Sequence, residues 1–342
     1  AIRPKTHRSI FEMKELGKAP KVLRHVVDLE EAGQRIDNFL MRICKGVPKS
    51  HVYRVLRSGE VRVNSRRVDQ TYRLVEHDEV RIPPMRLAES GSAAPVPARE
   101  FEILYEDDAF LAINKPAGMA VHGGSGVSFG VIESLRRARP DARLLELAHR
   151  LDRETSGILL IAKKRSALTA LHDAFRDGGM EKHYFALVSG RWMNPQQHIK
   201  LALTKYLTES GERRVSVDSE GKAAHSIVRL EVRWPGYSLL DVRIKTGRTH
   251  QIRVHLSASG FPIVGDEKYG DFALNKALRK EGLPRMFLHA HSLALKHPLT
   301  GVPVELAAPL PDDLAGFMRR IDHQQAREFE RKESDPRLQA AH

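Results

Sequence analysis

Cysteine is nearly missing from this 342-residue chain, where Cys44 stands alone. No intrachain disulfide can form, and zinc sites built on clustered thiolates are excluded. Long apolar runs are missing as well. No stretch approaches the roughly eighteen apolar residues of a membrane span, and residues 1–21 lack the apolar core of a secretory signal. Acidic residues are outnumbered, with 43 Asp and Glu against 56 Lys and Arg, for a net charge of +13 and a pI near 9.9. An excess of that size points to a polyanionic partner, because lysines and arginines displace the counterions condensed on phosphates. Apolar residues still make up 41% of the chain, enough for sizeable cores. A cytoplasmic protein that faces nucleic acid and no membrane is expected.

Common cofactor fingerprints are also absent. There is no GxxxxGK[ST], no GxGxxG after a strand and no GxSxG elbow. There is no HExxH, and His250 and His255 are spaced so that one helix face cannot carry both. Neither a catalytic metal nor a nucleotide cofactor is expected.

Five segments follow from composition and periodicity. Residues 1–21 are basic and broken by Pro4, Gly17 and Pro20, a flexible arm. Residues 22–85 form a small unit. In it Ile36, Phe39, Leu40 and Ile43 predict a helix over Gly33 to Lys45, and Ser50 is a candidate N-cap for a second helix closed by Gly59. Val61–Val63 and Val80–Ile82 alternate as short strands around an Asn64-Ser65-Arg66 turn. From Lys45 to Arg73 eight basic residues, Lys49, Arg54, Arg57 and Arg62 among them, face two acidic ones. Lys49-Ser50 and the run Arg57 to Asn64 make this unit resemble the S4 domain, an RNA-binding module. Residues 86–99, rich in Ser, Ala and Pro, read as a linker. Residues 100–322 alternate strands with a few helices, including one capped by Ser128 and carrying Val131, Ile132 and Leu135. This pattern predicts an α+β domain with a central, mostly antiparallel sheet. Residues 323–342 read as a charged, frayed tail.

One segment of the large domain carries chemistry. Asp152 lies between Arg150 and Arg153, ahead of Thr155-Ser156-Gly157 and the apolar run Ile158–Ala162. That places a carboxylate at the mouth of a buried strand, and flanking positive charge favours its ionised, nucleophilic form. An aspartate between arginines is equally a common salt-bridge pattern, and spacing alone leaves both readings open.

His149 to Gly157 is very similar to the HRLDxxTSG signature of the RluA family of pseudouridine synthases. Further marks of that family follow in order: Asn114 to Gly118, Lys182 to Gly190, Gly247 to His255, Gly265-Asp266, Tyr269-Gly270 and Leu288-His289-Ala290. A Gly221 to Ser226 stretch departs from the family pattern by carrying Ser226 for threonine, which keeps the hydroxyl. The likeness runs over nearly the whole chain from Val22. It implies a pseudouridine-synthase fold with an appended S4 domain and no metal or organic cofactor. By motif position Asp152 would be the nucleophile and Arg253 would pair with it. Tyr184 would line the pocket against the uracil, as a candidate proton-removing group. Arg150 would fill the space that a flipped-out base vacates, and Lys49, Arg54, Arg57 and Arg62 would meet RNA. The substrate implied is large-subunit ribosomal RNA, acted on by a monomer. Attack at C1′, attack at C6 and assistance of a glycal route all remain open.

Overall fold

Two stretches of helical periodicity build the first core. In the computed structural model, which describes residues 22–44, 47–85, 95–124 and 127–333, the chain divides into two compact units at residues 93 and 94. The expected arm at 1–21 and most of the expected linker, 86–94, lie outside the described residues.

The first unit comprises β1 (Leu23–Val26), α1 (Ile36–Ile43), α2 (Lys49–Ser58), β2 (Arg62–Val63) and β3 (Glu79–Ile82). Its sheet order is β1-β3-β2, all antiparallel. Ile36, Phe39 and Leu40 of α1 pack with Val52, Val55 and Leu56 of α2 on the strands' Val63, Val80 and Ile82. Helix α1 starts later than Gly33 because that glycine has φ 78°, outside the helical region. Helix α2 starts two residues earlier than a Ser50 cap requires. Pro48 precedes it with φ −58°, a dihedral already suited to a helix start, and Ser50 sits inside the first turn.

The second unit holds the remaining elements. They run β4 (Ile103–Glu106), β5 (Phe110–Lys115), α3 (Val131–Ala138), β6 (Glu146–Leu147), β7 (Ser156–Ala162), α4 (Arg165–Asp177), β8 (Met180–Ser189) and β9 (Gln196–Ile199). A hairpin, β10 (Leu203–Leu207) and β11 (Arg213–Val217), follows. Then come β12 (Ser226–Arg233), β13 (Tyr237–Ile244), α5 (Gln251–Ala258), α6 (Phe272–Lys280), β14 (Leu288–Lys296), β15 (Pro303–Ala307) and α7 (Asp312–Glu333). The central sheet is ordered β4-β5-β7-β14-β8-β13-β12-β9, with β6 on β7 and β15 on β14. All its pairings are antiparallel except β7 with β14.

Alternation splits the core between the two sheet faces. Leu111, Ile113, Leu159 and Ile161 point to one side with α3 and α5. Phe110, Ala112, Ile158 and Leu160 point to the other with α4. Every residue of β7 is buried, which is why its run Ile158–Ala162 is continuously apolar rather than alternating.

Two expectations need correction. Ser128 does not cap α3. The cap position is Gly130, and Glu133 reaches back to accept the N–H groups of Gly130 and Gly123 at 2.8 and 3.1 Å. Nor does a frayed tail begin at residue 323. Helix α7 runs through Asp322 to Glu333, held by the buried stripe Leu314, Phe317 and Ile321 and by the Trp234 indole N–H, which donates to Asp322 at 2.8 Å.

The parallel pairing of β7 with β14 sits beside Asp152, and Gly157 permits it. Gly157 has φ +114°, and a Cβ there would overlap the Ala290 carbonyl. Gly157→Ala should therefore destabilise the protein by about 2–4 kcal/mol, through a left-handed side chain and a backbone that must shift. A denaturant midpoint within experimental error of the wild type would contradict this account of the strand pair.

Candidate active site

The loop between β6 and β7 presents Asp152, and three separate anchors fix it. The His149 Nε2 accepts the Leu160 N–H at 3.0 Å, and the Thr155 N–H donates to the Asp152 carbonyl at 3.1 Å. From the Asn114–Gly118 segment, the Gly118 N–H and the Lys115 ammonium both donate to the Arg153 carbonyl, at 2.9 and 3.1 Å. Lys115 is fully buried and also donates to the carbonyls of Pro116 and Met119. Burial pulls its pKa down, while three carbonyl acceptors favour the charged form. Motifs far apart in sequence thus meet as one clamp.

Asp152 opens onto a cleft of about 660 Å³, within the size range of small-ligand pockets. Tyr184 from β8, Ile252 and Arg253 from α5, Leu288 from β14 and Arg150 from the loop all line it. Asp152, Tyr184, Arg253 and Arg150 are therefore brought together. Lys49, Arg54, Arg57 and Arg62 lie in the first unit. All four are exposed and none has a carboxylate partner among the described residues, while α2 turns Val52, Val55 and Leu56 inward.

The guanidinium of Arg253 is divided between two carboxylates. Its Nε and Nη2 donate as a fork to Asp266, each at 2.8 Å, and its Nη1 donates to Asp152 Oδ2 at 3.1 Å. Asp266 is 1% exposed. Burial alone would raise its pKa, but Arg253 and the N–H groups of Lys268 and Tyr269 hold it below the usual carboxylate range. The face of Tyr269 covers the guanidinium, 5.1 Å from ring centroid to Cζ. The Asp152 Oδ1 accepts nothing from the described residues and stays free in the cleft. Asp266 and Tyr269 had no role assigned from sequence. Their only signal was their place in the ordered motifs.

His250 stands 3.8 Å from Asp152 Oδ2, at the start of α5 with a left-handed φ of 52°. A non-glycine residue held there signals a conformation imposed by its surroundings. Gln251 imposes it by accepting from Thr246 and Arg248 and donating to the His225 carbonyl and Ser226. The Ser226 hydroxyl also meets His255 at 3.0 Å, so the group it shares with threonine is the one in use. The Tyr269 hydroxyl accepts the Val215 N–H at 2.9 Å and meets His250 Nδ1 at 2.7 Å, fixing the ring.

Tyr184 is buried, and burial together with the Asp152 charge drives its phenol pKa up, so the phenol is neutral in the cleft. On the opposite sheet face, His183, Asp241 and His291 bring ligand atoms within 4.8 Å of one another, a geometry that could hold a metal ion. Both imidazoles already donate to Asp241 at 2.8 Å, and His183 also donates to Glu181. Asp241 raises the pKa of His183, which favours an imidazolium over a ligand.

Residues 109–258 match the RNA pseudouridylate synthase family model, and residues 34–80 match the S4 domain. The ribosomal large subunit pseudouridine synthase C of Escherichia coli O157:H7 is 50% identical over 310 residues, 88% of this chain and 97% of that protein. The protein of the same name from Pasteurella multocida is 47% identical over 320 residues, 92% of this chain and 97% of that protein. The structure of human RNA pseudouridylate synthase domain containing 4 aligns with TM-score 0.54 and 25% identity, over 65% of this chain and 93% of that one. The chain belongs to the RNA pseudouridylate synthase family and carries an S4 domain ahead of the synthase domain.

Arg253→Lys should keep the charge yet lose turnover by about a hundredfold, because a point ammonium cannot reproduce a fork on one carboxylate and a third bond to another. Single-turnover rates check this, and a rate within threefold of the wild type would show that charge alone suffices.

Proposed function

We propose that this chain converts specific uridines of large-subunit ribosomal RNA to pseudouridine, with Asp152 as nucleophile toward a flipped-out nucleotide. The observation that carries the reading is the state of Asp152. One oxygen is held by an arginine that a second, buried aspartate braces, and the other is free in a base-sized cleft. The ribosomal substrate is supported by likeness to proteins named large-subunit synthases over most of their length.

The reaction breaks the N1–C1′ bond, turns the uracil and forms a C5–C1′ bond. C5 loses a proton and N1 gains one, so nothing is consumed. A fixed carboxylate supplies the nucleophile, and much of the acceleration comes from holding it in line with the sugar and base. Leaving the stack costs the base a few kcal/mol. An aromatic face recovers about 1–3 kcal/mol of that by stacking, the role assigned to Tyr184. Its raised phenol pKa makes a phenolate base costly at neutral pH, so Tyr184 serves first as a stacking and hydrogen-bonding wall. Arg150, exposed at the cleft rim, is positioned to fill the vacated stack. Lys49, Arg54, Arg57 and Arg62 present unpaired charge to RNA phosphates, which contribute affinity without sequence readout.

In cells whose only copy is Asp152→Asn, mapping of large-subunit ribosomal RNA should show loss of the pseudouridines this protein makes. Persistence at the wild-type level would remove Asp152 from the nucleophile's role. Tyr184→Phe should keep RNA affinity within about threefold. Loss of binding in that variant would make the tyrosine's hydroxyl a substrate anchor instead.

A further inference from the structure

The reaction just described leaves one wall of the cleft unexplained. Lys182 lies two residues before Tyr184 on β8, hence on the same sheet face, and lines the same cleft. It is 8% exposed, yet it makes no hydrogen bond and no ion pair with any described residue. Its ammonium stands over the ring of Phe175, 5.4 Å from the centroid. A π face offsets only part of what a cation loses on leaving water.

No carboxylate of the described residues pairs with the Lys182 ammonium. His149, tilted against Phe175 with ring centroids 4.6 Å apart, spends Nε2 on the Leu160 N–H and stays neutral. Asp152 is engaged by Arg253. His172 and Arg150 line the same cleft and add basic character only. Lys115 provides the contrast. It is 0% exposed against 8% for Lys182, and the fold meets its ammonium with three carbonyl oxygens. This protein satisfies a buried lysine where the fold needs one and leaves Lys182 unsatisfied at the substrate cleft.

We propose that Lys182 forms a phosphate subsite, its ammonium meeting a backbone phosphate of the RNA next to the flipped uridine, with Arg150 and His172 beside it. The assignment rests on the cleft receiving an RNA nucleotide. A neutral uracil carbonyl would leave the lysine's charge uncompensated, whereas a phosphate cancels it. A base held out of its stack also needs its backbone gripped nearby. The unpaired cation is thus a cost to the free protein that substrate removes.

The test uses the full chain carrying Asp152→Asn to stop turnover, and a large-subunit ribosomal RNA transcript titrated at several KCl concentrations. Adding Lys182→Met should weaken binding about tenfold and reduce the slope of log K against log salt by about 0.7–0.9, the loss of one phosphate contact. Lys182→Arg should retain the slope. The melting temperature of Lys182→Met should not fall, because the substitution removes an unpaired buried charge. An unchanged slope overturns the proposal, and weaker binding at that slope would assign Lys182 to the neutral base instead. Failure of the wild-type protein to form pseudouridine in the transcript would sink the functional reading, while the slopes would still decide the role of Lys182.

Discussion

Arg253 is shared unequally between two aspartates, and the rest of the site is arranged around that sharing. The planar fork of the guanidinium goes to Asp266, which is buried and further held by two backbone N–H groups. Asp152 receives a single N–H, at the longer distance of 3.1 Å. One cation facing two carboxylates leaves net negative charge, and the more exposed carboxylate holds the weaker bond. Asp152 is therefore oriented without being neutralised, the condition a nucleophile needs. Had the fork closed on Asp152 itself, both oxygens would be occupied by strong charge-assisted bonds.

The fold spends several unusual features on this arrangement. Gly157 lets β14 run parallel and close to β7, in a sheet otherwise antiparallel. Lys115 gives up hydration to clamp the loop that bears Asp152. His250 accepts a left-handed backbone so that α5 starts where Arg253 can reach the cleft. Each feature carries a local cost that only the surrounding packing makes tolerable, and each lies within or beside the motif segments.

What could be read in the sequence follows from the range of the forces involved. Helices α1 and α2 and strand β7 were legible because their periodicity and end signals are local. So was the reaction type, because the Asp152 segment and its ordered companions form a long signature. Helix α7 was missed because its charged exterior outweighs the stripe Leu314, Phe317 and Ile321, whose partner Trp234 is distant in sequence. Strand β1, only four residues with one face exposed, acquires its identity from β3. The pairing of Arg253 with Asp152 was expected, but the brace from Asp266 was not. No spacing rule reveals that one arginine serves two carboxylates.

The most direct test of this account is the single-turnover rate of Asp266→Asn, a substitution that keeps shape while removing the charge that orients Arg253. The account predicts a rate at least tenfold below the wild type, with RNA affinity unchanged, because Arg253 would turn toward Asp152 and occupy the proposed nucleophile. A wild-type rate in a folded Asp266→Asn protein would contradict the claim that the buried aspartate keeps Asp152 free to react.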